Sequence, residues 1–297
     1  MDARAHIDPV TFSVIWGGLV SASAEMGVTL TRTAYSSAVR EGTDFSTGMF
    51  DAEGNMVSQG DYSPGHLGSM AFTVKKMLEY YPADTLEDGD AIICNDPGIG
   101  SGHLPDVFMV LPIFFEDQII GYAVNIAHQI DIGGSGAGSQ VVHGVLDNYQ
   151  EGIRFLPTKL YHRGVPDETI FRIIGANVRV PEVIGDIRAQ YIANQAGASR
   201  MIALARTYGI PVLRQSMREL IERSAEQMRA AIRQLKPGVY HFEDNLDDVG
   251  PDTEPVFAKV TVTIADGHVH VDWTGSGPQR EAGLNAYLAY TNAYSLA

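Results

Sequence analysis

Apolar and polar positions follow two rhythms along this chain. Phe12, Ile15, Trp16, Leu19 and Val20 recur at the helical period, and Met26 and Leu30 extend that face. Asp8 before Pro9 supplies a cap and a proline suited to the first helical position, so a helix is predicted to start there. From Phe45 the pattern becomes a hairpin whose turn is Asp51-Ala52-Glu53-Gly54-Asn55. Residues 69–81 read as a helix ended by Pro82, and 91–94 as a short buried strand. Two apolar runs, 107–115 and 119–126, flank the polar break Glu116-Asp117-Gln118 and read as the two strands of a hairpin. Long helical patterns follow at 181–208 and 212–235, separated by Gly209-Ile210-Pro211 and ended by Pro237-Gly238. Residues 257–264 and 268–273 flank Ala265-Asp266-Gly267 as a third hairpin, with His268 and His270 on its solvent face. The acidic run Glu243, Asp244, Asp247 and Asp248 reads as a solvated turn. These elements predict an α+β fold of mixed or antiparallel sheets and long helices. The chain divides into an α+β region at 1–160, a helical region at 161–236 and a β-rich, incomplete region at 237–297.

The chemistry concentrates around the central hairpin. His103-Leu104-Pro105-Asp106 precedes its first strand, and His128-Gln129-Ile130-Asp131 follows its second. A hairpin returns its second strand to the start of its first, so His103, Asp106 and His128 are expected at one end of one sheet. Imidazole and carboxylate form a borderline-hard ligand set for Mn²⁺, Fe²⁺ or Zn²⁺. Such an ion could acidify a bound water or polarise a substrate oxygen. One His-x-x-Asp alone reads first as a capped surface turn; the weight lies in the pair. The glycine-rich stretch 133–139 lacks the Lys-Ser or Lys-Thr of a Walker loop and the spacing of a dinucleotide fingerprint, and reads as a flexible wall of the active site.

Asp8-Pro9-Val10-Thr11, Arg32-Thr33-Ala34-Tyr35-Ser36, Asp44-Phe45-Ser46 and Phe50-Asp51-Ala52-Glu53-Gly54 stand in the first part of the chain. His66-Leu67-Gly68-Ser69-Met70, the two His-x-x-Asp segments and Tyr149-Gln150-Glu151-Gly152 follow. Asp186-Ile187-Arg188-Ala189-Gln190 and Asp272-Trp273-Thr274-Gly275-Ser276 complete the set. Together these motifs resemble the hydantoinase B/oxoprolinase family, which includes the metal-bearing subunits of acetone and acetophenone carboxylases. The resemblance implies a hydantoinase B-like fold and a divalent metal held by His103, Asp106 and His128, with Asp44 a further ligand. Asp131 would orient an imidazole or take a proton. His66 would contact substrate or serve as a turn histidine.

The resemblance also implies a function: ring opening of a hydantoin, lactam or 5-oxoproline-type amide, activated by phosphorylation with ATP in a hydantoinase A-type partner subunit. The expected assembly is a hetero-oligomer. Two departures, Gly98 after Asn95-Asp96-Pro97 and Gln129 where many hydrolytic members have histidine, keep an ATP-dependent ketone carboxylase open as an alternative. A non-catalytic scaffold for the ATP-binding subunit is a third. Family members commonly run to about twice this length, so a truncated or split member is expected.

Composition narrows the picture. With 297 residues, 45% of them hydrophobic, the chain can bury a large core. A net charge of -15 without a basic cluster argues against a nucleic-acid partner. The lone Cys94 sits in an apolar run, which points to a buried inert thiol and a reducing compartment. Residues 1–7 lack the pattern of a targeting segment, and the apolar stretches read as too short or too polar to span a bilayer, so a cytoplasmic protein is expected.

Overall fold

The computed structural model describes residues 7–139, 141–142, 144–247 and 253–296. The expectation for the first six residues, and Asp248 of the acidic run, lie outside them. In chain order the elements are α1 (Pro9–Thr33), α2 (Ser37–Arg40), β1 (Phe45–Asp51), β2 (Met56–Gln59), α3 (Pro64–Tyr80), β3 (Ala91–Cys94), β4 (Asp106–Phe115) and β5 (Gln118–His128). They continue with α4 (Asn148–Glu151), β6 (Thr158–His162), β7 (Val165–Pro166), α5 (Glu168–Asn177), α6 (Glu182–Tyr208), α7 (Ile210–Ile232), β8 (Gly238–Leu246), β9 (Val256–Ala265), β10 (His268–Asp272) and α8 (Leu288–Leu296). The result is the expected combination of helices and antiparallel sheets.

Two compact units emerge. One comprises Met1–Gln140, Asn148–Met217 and Ala286–Ala297; the other comprises Val141–Asp147 and Arg218–Asn285. They cut the chain differently from the three regions read along the sequence, because the chain's last helix belongs with its first half. The second unit carries the three-stranded sheet β10-β9-β8. Its Asp-Gly turn has Asp266 at φ 53 and Gly267 at φ 77, as a type I′ turn requires. Glu243 and Asp244 lie on β8 rather than in a turn, and Glu243 pairs with Lys259 of β9 at 2.9 Å.

The first unit is built on a seven-stranded antiparallel sheet, ordered β2-β1-β5-β4-β3-β6-β7. Period-2 alternation divides the central strands between two layers. Phe108, Val110, Tyr122, Val124 and Ile126 pack with Leu67, Met70, Val74 and Met77 of α3. On the opposite face, Phe45 and Ala127 pack with Leu30 of α1 and with Ala189 and Ala193 of α6. Helix α1 begins as predicted: Asp8 Oδ1 accepts the amide hydrogens of Val10 and Thr11. By length and composition α1 is apolar enough to cross a bilayer. One face of it is core, however, with Phe12, Ile15, Leu19, Ala22, Met26 and Leu30 buried. Helix α3 starts at Pro64, one turn earlier than the periodicity suggests, because proline is accommodated at a helix's first position.

Buried amides bind α6 to the back of the central hairpin. Gln190 Nε2 donates to the Val107 carbonyl and to Asn125 Oδ1, both at 2.8 Å. Asn125 Nδ2 donates to Asn194 Oδ1 at 2.8 Å, and Asn194 Nδ2 donates to the Met109 carbonyl at 3.0 Å. Asp186, fully buried, accepts the amide hydrogens of Tyr35 at 2.6 Å and Ser36 at 3.1 Å. These bonds join Arg32-Thr33-Ala34-Tyr35-Ser36 to Asp186-Ile187-Arg188-Ala189-Gln190, so both motifs serve architecture.

Candidate metal centre

The hairpin's register creates the site. Asp106 pairs directly with His128 across β4 and β5, so their side chains emerge together on the α3 face. His103 reaches the same point from the loop before β4. That loop is tightly determined: Ser101 Oγ lies 2.5 Å from the His103 carbonyl and 2.8 Å from the Asp106 carbonyl, and its one hydroxyl proton is shared between them. Asn95 Nδ2 donates to the Leu104 carbonyl at 2.6 Å, and Glu151 accepts the Leu104 amide at 3.2 Å. Glu151, from Tyr149-Gln150-Glu151-Gly152, therefore braces the loop that presents His103.

The donor atoms of His103, Asp106 and His128 all lie within 4.8 Å of one another. His103 Nε2 is 3.1 Å from Asp106 Oδ1 and 3.1 Å from His128 Nδ1. His128 Nδ1 is 3.3 Å from the same carboxylate oxygen. Bare lone pairs so close repel one another unless a proton or cation lies among them. Atoms roughly 2.0–2.2 Å from a shared ion are spaced on this scale, so the three donors fit a divalent transition metal in both chemistry and spacing. Burial pushes the His103 imidazole toward neutrality, but the hydrogen bond and charge of Asp106, with the charges of Glu151 and Asp44, outweigh it and raise its pKa. Burial likewise raises the Asp106 carboxyl, yet hydrogen bonds from His103, His128 and His66 hold it well below the ordinary 3.8. The same negative field favours a bound cation.

Asp44 and His66 stand beside this trio. His66, buried in the first turn of α3, has Nε2 at 3.5 Å from Asp106 Oδ1 and 3.9 Å from Asp44 Oδ1. Its Nδ1 is buried without a hydrogen-bond partner. Asp44 Oδ2 lies 3.9 Å from His128 Nδ1, and the Asp44 carbonyl accepts the His128 amide at 3.0 Å. Asp44 is half exposed and also lines a surface pocket with Gly42, Thr43, Asp61, Tyr62 and Ser63. Thr43 has φ 50, unusual for a β-branched residue and the kind of strain found where a side chain is being aimed.

Asp131 is engaged elsewhere. Its Oδ1 accepts the Gly133 amide at 3.0 Å and Arg179 Nη1 at 2.9 Å, and its Oδ2 accepts the Arg179 amide. No hydrogen bond or ion pair joins it to His103, Asp106 or His128 among the described residues. Gly133 (φ 88) and Gly134 (φ 69) turn against residues 150–152, and Arg179 also donates to both glycine carbonyls. This part of the expected flexible wall is therefore pinned. Gln129 faces the core, donating to the Ala127 carbonyl at 3.2 Å and Gln190 Oε1 at 3.3 Å. Cys94 is buried, and desolvation pushes its thiol up to about 12, as an inert core cysteine requires.

The structure adds one residue that the sequence did not nominate. Tyr290, from α8, donates its hydroxyl to Asp106 Oδ2 at 2.7 Å.

Comparison with known proteins sets this geometry among relatives. The profile of the hydantoinase B/oxoprolinase family matches residues 8–297. The chain belongs to the hydantoinase B/oxoprolinase family. It is 36% identical over 281 residues to the B-type subunit of a putative D-/L-hydantoinase from Pseudomonas sp. (strain NS671), covering 92% of this chain and 48% of that protein. It is 32% identical over 282 residues to the beta subunit of caprolactamase from Pseudomonas jessenii, covering 95% and 48%. The crystal structure of the ATP-dependent caprolactamase from that organism superposes with a TM-score of 0.89 at 29% identity, over 97% of this chain and 49% of that one. A nucleotide-free acetone carboxylase shares the fold, with a TM-score of 0.87 at 21% identity, over 96% and 40%. The chain thus spans about half the length of these two relatives.

Proposed function

We propose that this hydantoinase B/oxoprolinase chain is the metal-bearing part of an ATP-coupled cyclic-amide hydrolase. The observation that carries the reading is the convergence of His103, Asp106 and His128 at one end of the β4–β5 pair. Relatives named as a hydantoinase subunit and a caprolactamase subunit support the substrate class. His103, Asp106 and His128 would hold a divalent metal such as Mn, Zn or Fe, with Asp44 at its edge. When bound, the metal supplies Lewis acidity, which lowers the pKa of water and polarises oxygen. ATP belongs to a hydantoinase A-type partner in a cytoplasmic hetero-oligomer; phosphorylating the amide oxygen there makes the amide carbon a good electrophile. After water adds, the ring C–N bond breaks with the nitrogen leaving as the amine, and the resulting acyl phosphate is hydrolysed to carboxylate and phosphate.

The chain's own groups have definable tasks. Asp106 is buried and anionic, so it would offset one of a divalent cation's two charges and hold the two imidazoles. His66 presents Nε2 beside Asp106 and is placed to meet substrate or move a proton. Asp44 is the member of the group most open to solvent and lies where a substrate would enter. The retained donor set weighs against a purely scaffolding role. A ketone carboxylase remains the second reading through the shared fold, although Gln129 no longer favours it, since its side chain faces the core.

The test is an assay of the chain reconstituted with its ATP-binding partner. With ATP, hydantoins or lactams should be opened and ketones with bicarbonate should not be carboxylated. Asp106→Asn should abolish turnover and strip the transition metal while leaving the assembly intact. Full turnover by a correctly assembled Asp106→Asn complex refutes a catalytic metal.

A further inference from the structure

Helix α8 packs along α3, and three glycines make the close approach possible. A Cβ on Gly102 would fall 2.2 Å from the Tyr290 ring, one on Gly65 2.6 Å from the Tyr294 ring, and one on Gly68 2.6 Å from the Ala293 Cα. Gly65 flanks His66, Gly68 lies two residues beyond it, and Gly102 precedes His103. Tyr290, Ala293 and Tyr294 lie three and four residues apart, so they form one face of α8. The slot is thus cut from the same segments that carry the imidazoles, and it ends with the Tyr290 hydroxyl on Asp106 Oδ2 at 2.7 Å. The two carboxylate oxygens are thereby divided: Oδ1 faces His103, His128 and His66 at 3.1, 3.3 and 3.5 Å, and Oδ2 faces the phenol.

We infer that Tyr290 is a positioning residue for the metal ligand Asp106, holding one carboxylate oxygen so that the other is aimed into the imidazole cluster. The inference rests on the proposed metal site. A carboxylate has two equivalent oxygens and a soft terminal rotation, so a buried donor on one of them selects which oxygen, and which lone pairs, meet the cation. Hydrogen bonds to ligating carboxylates typically change metal affinity about 10–100-fold. Tyr290 lies 184 residues from Asp106, so only the seating of α8 makes this bond.

Tyr290→Phe keeps the ring in its slot and removes only the hydroxyl. The probe is Mn²⁺ alone, titrated into the metal-free 297-residue chain by chelator competition. The expected result is about 10-fold or greater weakening of Mn²⁺ binding. At saturating Mn²⁺ the electron paramagnetic resonance pattern should also differ from that of the unsubstituted chain, because the carboxylate is free to rotate. A purely structural hydroxyl would leave the saturated spectrum unchanged. Gly68→Ala provides an independent route: it retains the hydroxyl but forces the α8 backbone away, and it should weaken binding similarly. Unchanged affinity and spectrum in Tyr290→Phe, or in Gly68→Ala should the first variant fail to fold, overturn the inference while leaving the metal site standing. Absence of Mn²⁺ binding by the unsubstituted chain overturns the metal reading and this inference together.

Discussion

Replacing Asp131 by alanine separates a catalytic carboxylate from an architectural one. Its side chain is fully buried and accepts two backbone amides, from Gly133 and Arg179, together with the Arg179 guanidinium. Alanine would strand the two amides in a site too closed for water to replace every bond. Each hydrogen bond to a charged acceptor contributes about 1.5–3 kcal/mol, and the contributions overlap where one carboxylate serves several donors. The guanidinium is half exposed and rehydrates when released, so its own share is about 1 kcal/mol or less. Asp131→Ala should therefore cost about 3–4 kcal/mol, within the range for disrupting a buried charged network. Arg179→Ala should cost about 1 kcal/mol, since the carboxylate retains its backbone donors. With an m-value of about 3 kcal/mol/M, the urea midpoint should fall by roughly 1 M in the first variant and about a third of that in the second. Mn²⁺ affinity of the folded Asp131→Ala protein should stay within a few-fold of the unsubstituted value. An unchanged urea midpoint with collapsed Mn²⁺ affinity would refute this reasoning and return Asp131 to the metal centre.

Other expectations concern the framework around the site. Asp90 is buried and accepts Lys159 Nζ at 2.7 Å and the amides of Glu87 and Arg163, each at 3.0 Å. Burial raises its carboxyl, but these donors outweigh it and leave the pKa below 3.8. A depressed folded-state pKa stabilises above the unfolded value and loses that contribution as pH falls through the folded one. Asp90→Asn should therefore cost about 2–4 kcal/mol at pH 7, and its urea midpoint should converge with that of the unsubstituted chain only below pH 3.8. Gly17 lies exposed in α1, and a methyl group placed there would meet nothing within 4 Å, so Gly17→Ala should raise stability by about 0.5–1 kcal/mol in thermal melts. A Cβ on Gly121 would lie 2.3 Å from the Phe50 carbonyl oxygen, so Gly121→Ala should lower stability by at least about 2 kcal/mol.

What the sequence determined by itself was local. The β4–β5 hairpin, its polar break and the His-x-x-Asp flanks lie within one short stretch, and strand periodicity with antiparallel return is enough to bring Asp106 opposite His128. The cap at Asp8, the β1–β2 turn and the Asp-Gly turn of β9–β10 were legible for the same reason: each depends on bonds a few residues long. Strand β8 was not legible, since it is exposed along nearly its whole length and shows no two-faced alternation; only pairing with β9 makes it a strand. Side-chain roles that depend on distant partners also had no local signal. Asp131 reads as a site residue beside His128, yet Arg179, 48 residues away, claims it. Gln129 reads as a position that distinguishes reactions, yet Gln190 turns it into the core. Tyr290 sits in an ordinary apolar helix and acquires meaning only where α8 enters the glycine slot over Asp106. Backbone periodicity is written in neighbours, whereas the partner of a buried polar group is chosen by packing among segments that the sequence keeps far apart.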